Sequence, residues 1–203
     1  MSYADTLSFF LTVFVLAIAP GPVVLMLIVR SASNDTKGAA GFGLGYAIGG
    51  VIIISAVCFG LGTWLTSVPE VFDYTKYVMM AYILWVAYDI WKGGVDLAQK
   101  DADVPASKGS SVLAGIATCF ISPYIAIMLP LSLPEVMNMT TIALPDFLII
   151  ALITFGSLAL AAALVVVFAA QLRRLIRSEM GQLYMNRGLS ALLVGGGGTM
   201  VFL

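Results

Sequence analysis

The chain has 203 residues, 61% of them hydrophobic and 10% charged, with a formal net charge of -1. Soluble domains carry about 25% charged residues, so a soluble globular fold is excluded. With no basic stripe to release counterions, so is nucleic acid as a partner. The composition predicts a polytopic, all-α membrane protein surrounded by lipid.

Six apolar segments are predicted, at about 6–29, 39–66, 72–92, 110–134, 144–171 and 183–203. Each suits a hydrocarbon layer of ~30 Å at 1.5 Å per residue. The opening MSYADTLSFF lacks a basic region, and no small-residue cleavage site follows soon after. The first span itself is therefore expected to direct insertion. Within that span stands APGPVVLM, residues 19–26, with Pro20, Gly21 and Pro22 inside an otherwise helical pattern. Proline leaves a carbonyl one turn earlier without its partner, and lipid supplies no substitute. A break there is expected to line protein or a hydrated cavity, where freed main-chain groups meet a ligand. The plainer alternative is a kink that only shapes packing.

Span 2 opens KGAAGFGLGYAIGG. Gly41, Gly45 and Gly49 lie four apart, with Gly50 beside them, and the spacing predicts a face for close helix packing. Span 3 holds Tyr82, Trp85, Tyr88 and Trp91. The last two are expected at the membrane boundary, the first two deeper, against lipid or neighbouring helices. The extended polar stretch, residues 93–111, leaves three spans on each side. Span 4 contains CFISPYIAIMLPLSLP, with Ser122, Pro123 and Tyr124 at a depth similar to the first break, then Pro130 and Pro134. Span 5 repeats small residues at Ser157 and Ala161 and at Ala159 and Ala163, and span 6 has four glycines at 195–198.

Sidedness follows from Lys and Arg. Arg30 and Lys37 lie between spans 1 and 2, Lys92, Lys100 and Lys108 at the central link, and Arg173, Arg174, Arg177 and Arg187 between spans 5 and 6. These links alternate onto one face and hold every basic residue except Lys76, so that face is expected to be cytoplasmic and both termini outside. Three spans is an odd number, so two homologous halves form an inverted repeat. The expected units are residues 1–94, a polar linker at 95–109, and residues 110–203. The two cysteines, Cys58 and Cys119, read as small buried hydrophobes, and the chain has no histidine. No metal site or cofactor is expected. The carboxylates lie near predicted span ends; Asp89 is the one best placed to reach inward, but a solvated place at the helix end is the favoured reading for it.

APGPVVLMLIVRSASNDTKGAAGFGLGYAIGG, residues 19–50, resembles the first two spans of the LysE/RhtB-type amino-acid exporters. Segments 81–94, 115–136 and 186–198 are similar to that family's third, fourth and last spans, so the resemblance covers essentially the whole chain. It implies a six-helix bacterial inner-membrane carrier that exports a small solute with the proton motive force. The departures are specific. Val23 stands where the family often has asparagine, Gly50 where it often has an acid, and Ser122-Pro123-Tyr124 where it commonly has Asn-Pro-Lys.

The expected function is export of an amino acid or derivative by alternating access, with Pro20, Gly21, Pro22, Ser122, Pro123 and Tyr124 around the solute. A metal or cation exporter is disfavoured, because neither thiolate and imidazole nor carboxylate clusters lie within the spans. A membrane enzyme is disfavoured because Ser122 has no base at a recognisable spacing. A non-transporting scaffold assembled through the glycine faces is the remaining alternative, and those faces also make a homodimer plausible.

Overall fold

The computed structural model describes residues 3–19, 21–32, 35–61, 69–93, 108–133 and 143–171, with short pieces between 180 and 194. Seven helices run through the long segments: α1 (Tyr3–Ile18), α2 (Pro22–Ala32), α3 (Thr36–Ala56), α4 (Pro69–Gly93), α5 (Lys108–Ile121), α6 (Pro123–Leu131) and α7 (Leu144–Gln171). No strand occurs among the described residues. Thr36–Phe59 and Leu144–Gln171 are each long and apolar enough to cross a membrane. Tyr3–Ile18 and Val23–Ala32 qualify together, as one span bent by 59°.

Local chemistry sets several of the boundaries. Asp35 caps α3: its Oδ1 accepts from the Gly38 amide at 2.9 Å and its carbonyl from the Ala39 amide at 2.8 Å. A carboxylate at this position also favours the positive end of the helix. Near the other end of α3, the Ser55 hydroxyl donates to the Val51 carbonyl at 2.7 Å. Such back-bonds loosen the helical ladder. Here the helix widens into a π turn at Val57–Leu61, where the sequence pattern predicts continuous helix. In α5 the Thr118 hydroxyl donates to the Ala114 carbonyl at 2.7 Å, one turn ahead of the helix's end.

The core forms around α3. Phe42, Tyr46 and Ile54 from α3 are fully or almost fully buried with Phe9 and Val13 of α1, Leu27 of α2, Leu129 of α6 and Leu158 of α7. Most of the neighbours come in matching pairs, the packing of α2 on α3 being the exception. α3 packs on α5 and α6, α7 packs on α1 and α2, and α3 and α7 pack on each other. In addition α1 touches α6, and α2 touches α5.

Lipid provides no hydrophobic drive between helices, so their contact depends on close packing. A side chain at Gly45 would strike the Val112 carbonyl, and one at Gly115 the Phe42 carbonyl, so α3 and α5 cross main chain to main chain. A Cβ at Gly49 would lie 2.8 Å from that of Cys119, and one at Gly43 would lie 2.9 Å from that of Ala162. Gly41 is half-buried. On α7 the helical period turns Ser157, Ala161 and Ala162 inward, whereas Ala163 is exposed. The Ala159–Ala163 pair is therefore not a second packing stripe.

α4 is the peripheral helix. Trp85, Tyr88 and Trp91 are exposed, Tyr82 is half-buried, and Ala87 and Ile90 face inward. Lys92 lies over the Tyr88 ring and Arg187 over the Trp91 ring, both at 5.7 Å, which brings residue 187 beside the end of α4.

Candidate functional site

Two helix breaks organise the site. The first lies between Ile18 and Pro22, the second at Ser122. In each, proline is the first residue of the new helix, where its missing N–H is no loss and its fixed φ is already helical. The main-chain bonds around the breaks match. Ala19 N–H donates to the Val15 carbonyl and Leu25 N–H to the Gly21 carbonyl, while Ser122 N–H donates to Thr118 and Ala126 N–H to Ser122. Ser122 is extended, with φ -73° and ψ 107°. Pro20 lies outside the described residues, as do Pro134, Lys100, Arg173, Arg174, Arg177 and glycines 195–198.

The breaks meet at one pocket. Leu16, Ala17 and Ala19 approach it from the α1 side, Gly21, Val23 and Val24 from the α2 side, and Ser122 and Ile125 from the second break. Tyr46 of α3 completes the lining. The space amounts to about 200 Å³ including its open part. Its interior has room for about one water molecule, so a solute enters only if the helices part.

Ser122 is the informative residue. A serine in the position before a helix ordinarily accepts from an amide of the first turn. Here the side chain makes no such bond, is 3% exposed, and has no hydrogen-bond partner. A buried hydroxyl without a partner costs about 1–3 kcal/mol. It is unused by the fold and lines the cavity. Gly21 contrasts with the packing glycines, because a Cβ there would meet nothing closer than the Ala19 carbonyl at 3.8 Å.

The neutral substitutions noted in the sequence have structural counterparts. Val23 is 3% exposed and forms apolar wall where an asparagine would present a polar one. A side chain at Gly50 would run into Leu158 and come within 3.6 Å of Leu129, so apolar residues fill the place of an acid. Tyr124 is the second residue of α6. Asp89 is exposed on α4, in keeping with the solvated helix-end place favoured for it. Among the described residues no three His, Cys, Asp or Glu side chains cluster as a metal site would require.

Sequence reasoning overlooked three residues. Tyr46 lines the pocket and is 1% exposed. Gly115 is the other half of the α3–α5 crossing. Arg30 counted only as a marker of sidedness, yet it is 7% exposed. For Tyr46 a signal existed, an aromatic with a polar tip set among the glycines of span 2.

The model of the LysE type translocators matches residues 14–202, from α1 through the last segment. The chain belongs to the LysE type translocator family. An uncharacterized membrane protein of Vibrio cholerae is 25% identical over 191 residues, which are 94% of this chain and 93% of that one. No solved structure matches it. As a LysE type translocator it is a multi-pass membrane transporter of a small solute rather than an enzyme.

Proposed function

We propose that this LysE type translocator exports an amino acid or a close derivative across the bacterial inner membrane. The mechanism is alternating access around the pocket where the two breaks meet. Pro20, Gly21 and Pro22 of the first break and Ser122, Pro123 and Tyr124 of the second surround the solute. The observation that carries the reading is Ser122, a residue lining the cavity whose buried hydroxyl stands at a helix start without capping it and has no hydrogen-bond partner. Main-chain groups at a broken helix suit the carboxylate and ammonium of a zwitterion. Among the described residues the pocket's lining contains no charged side chain, which disfavours solutes with a net charge, since an unpaired ion in such surroundings is costly.

The moving parts are two inverted three-helix repeats, residues 1–94 and 110–203, joined by the linker at 95–109. Most of the helix contacts support this division. Exchanging α1–α2 with α5–α6, and α3 with α7, maps α3–α5 onto α1–α7, α3–α6 onto α2–α7 and α1–α6 onto α2–α5, whereas the contact of α2 with α3 has no comparably extensive counterpart between α6 and α7 among the described residues. The distribution of Lys and Arg supports both termini outside and the basic links inside. Coupling to the proton motive force follows from the resemblance to amino-acid exporters. A homodimer belongs to this reading only through other faces, because Gly45, Gly49 and Gly50 are buried in packing within the chain.

Purified protein in liposomes, loaded with a panel of labelled amino acids under an imposed proton gradient, tests the proposal. Saturable, gradient-dependent flux of a neutral amino acid is expected, with charged ones moving poorly. Absence of saturable flux across the panel overturns it.

A further inference from the structure

We propose that Arg30 is a latch that holds the two halves of the carrier closed at the end bearing the span 1–2 link. This rests on the carrier reading above and adds to it a gating residue at a distance from the pocket. Arg30 lies in the last turn of α2 and is 7% exposed, so its charge is almost wholly removed from water. One of its guanidinium nitrogens donates to the Ser111 hydroxyl of α5 at 3.0 Å, a bond from the first half of the chain to the second. Ser111 is itself 1% exposed. The same nitrogen stands 3.9 Å from the Asp35 carboxylate, and the guanidinium lies 5.3 Å from the centre of the Phe42 ring. Asp35 N–H donates to the Arg30 carbonyl at 3.1 Å, so the turn between α2 and α3 is closed on the residue that reaches across. One side chain thus ties α2, the start of α3 and the start of α5 together.

The balance of forces suits a contact that is made and broken. The C-terminal end of α2 and the Asp35 carboxylate favour the cation, whereas the N-termini of α3 and α5 beside it oppose it. Its Nε is buried with no hydrogen-bond partner, a deficit that a permanent structural arginine ordinarily avoids. Water reaching this end would satisfy that nitrogen, so opening recovers solvation that closure withholds. The closed arrangement fits the pocket, whose interior has room for about one water.

The test follows access to the pocket with Ser122→Cys as the sole thiol, in a Cys58→Ser, Cys119→Ser background reconstituted into liposomes. A membrane-impermeant maleimide is applied to each face, and a separate Lys37→Cys protein identifies the face that bears the link. Arg30→Gln is expected to raise labelling about tenfold from that face only, the effect of losing a charge-assisted hydrogen bond. Arg30→Lys restores part of the closure, and Ser111→Ala gives a smaller rise from the same face. Unchanged labelling in folded Arg30→Gln, or an equal rise from both faces, overturns the latch. Should Arg30→Gln fail to fold, the milder Ser111→Ala decides by the same criteria. Labelling needs no solute, so a failed flux panel and a failed latch are separate results.

Discussion

Gly21–Pro22 and Ser122–Pro123 restart their helices with the same local chemistry, a proline in first position and matching main-chain hydrogen bonds on either side. They are held differently. The first break runs from Ile18 to Pro22 and bends its span by 59°, and Gly21 has room for a side chain. The second is confined to Ser122, at the end of a helix whose Gly115 lies against the main chain of Phe42 and Tyr46 of α3. The contrast teaches that similar breaks serve unlike tasks. The second gives a fixed hydroxyl on a tightly packed wall, while the first gives a wider opening whose glycine is not demanded by packing in this conformation.

The tight side breaks first. Gly115→Ala pushes a methyl group into the Phe42 carbonyl, and Gly45→Ala does the same at Val112. Each is expected to lower stability by about 1–3 kcal/mol, read as an earlier thermal transition in detergent. Flux falls with the loss of folded protein. Replacing Pro22 and Pro123 together by alanine removes the feature common to both breaks. Flux is expected to fall while the helical content and thermal transition change little, and a folded double variant with full flux would show that neither break matters to transport.

Ser122→Ala separates the two sides. It is expected to reduce flux by up to about tenfold, the value of one hydrogen bond to the solute. Stability should hold or rise slightly, because an unpartnered buried hydroxyl is removed. A clear loss of stability would mean that the hydroxyl serves the fold. Gly21→Ala should leave the thermal transition within about 0.5 kcal/mol, since its Cβ has space. Any fall in flux then reports a closer approach in another conformation. The smallest effect is expected for Asp89→Asn, because Asp89 is exposed on the peripheral α4. A large loss of proton-driven flux there would restore it as a coupling group.

What the amino-acid order determined alone was the solvent and the punctuation. A chain with 61% hydrophobic residues calls for lipid. Pro22 and Pro123 have fixed φ and no N–H, so the sequence marks a break or a kink there, although Pro130 sits inside α6 without restarting it. The glycine spacing of span 2 marked a close-packing face before any partner was known. What tertiary structure decided was direction and company. That Ser122 lines a cavity, its hydroxyl not capping its own helix, depends on neighbours distant in the chain. So do the meetings of Gly45 with Val112, of Gly115 with Phe42, and of Arg30 with Ser111. The period of a helix assigns a residue to a face but not the partner that face meets. That choice is made when helices pack, and it turns two prolines far apart in sequence into one pocket.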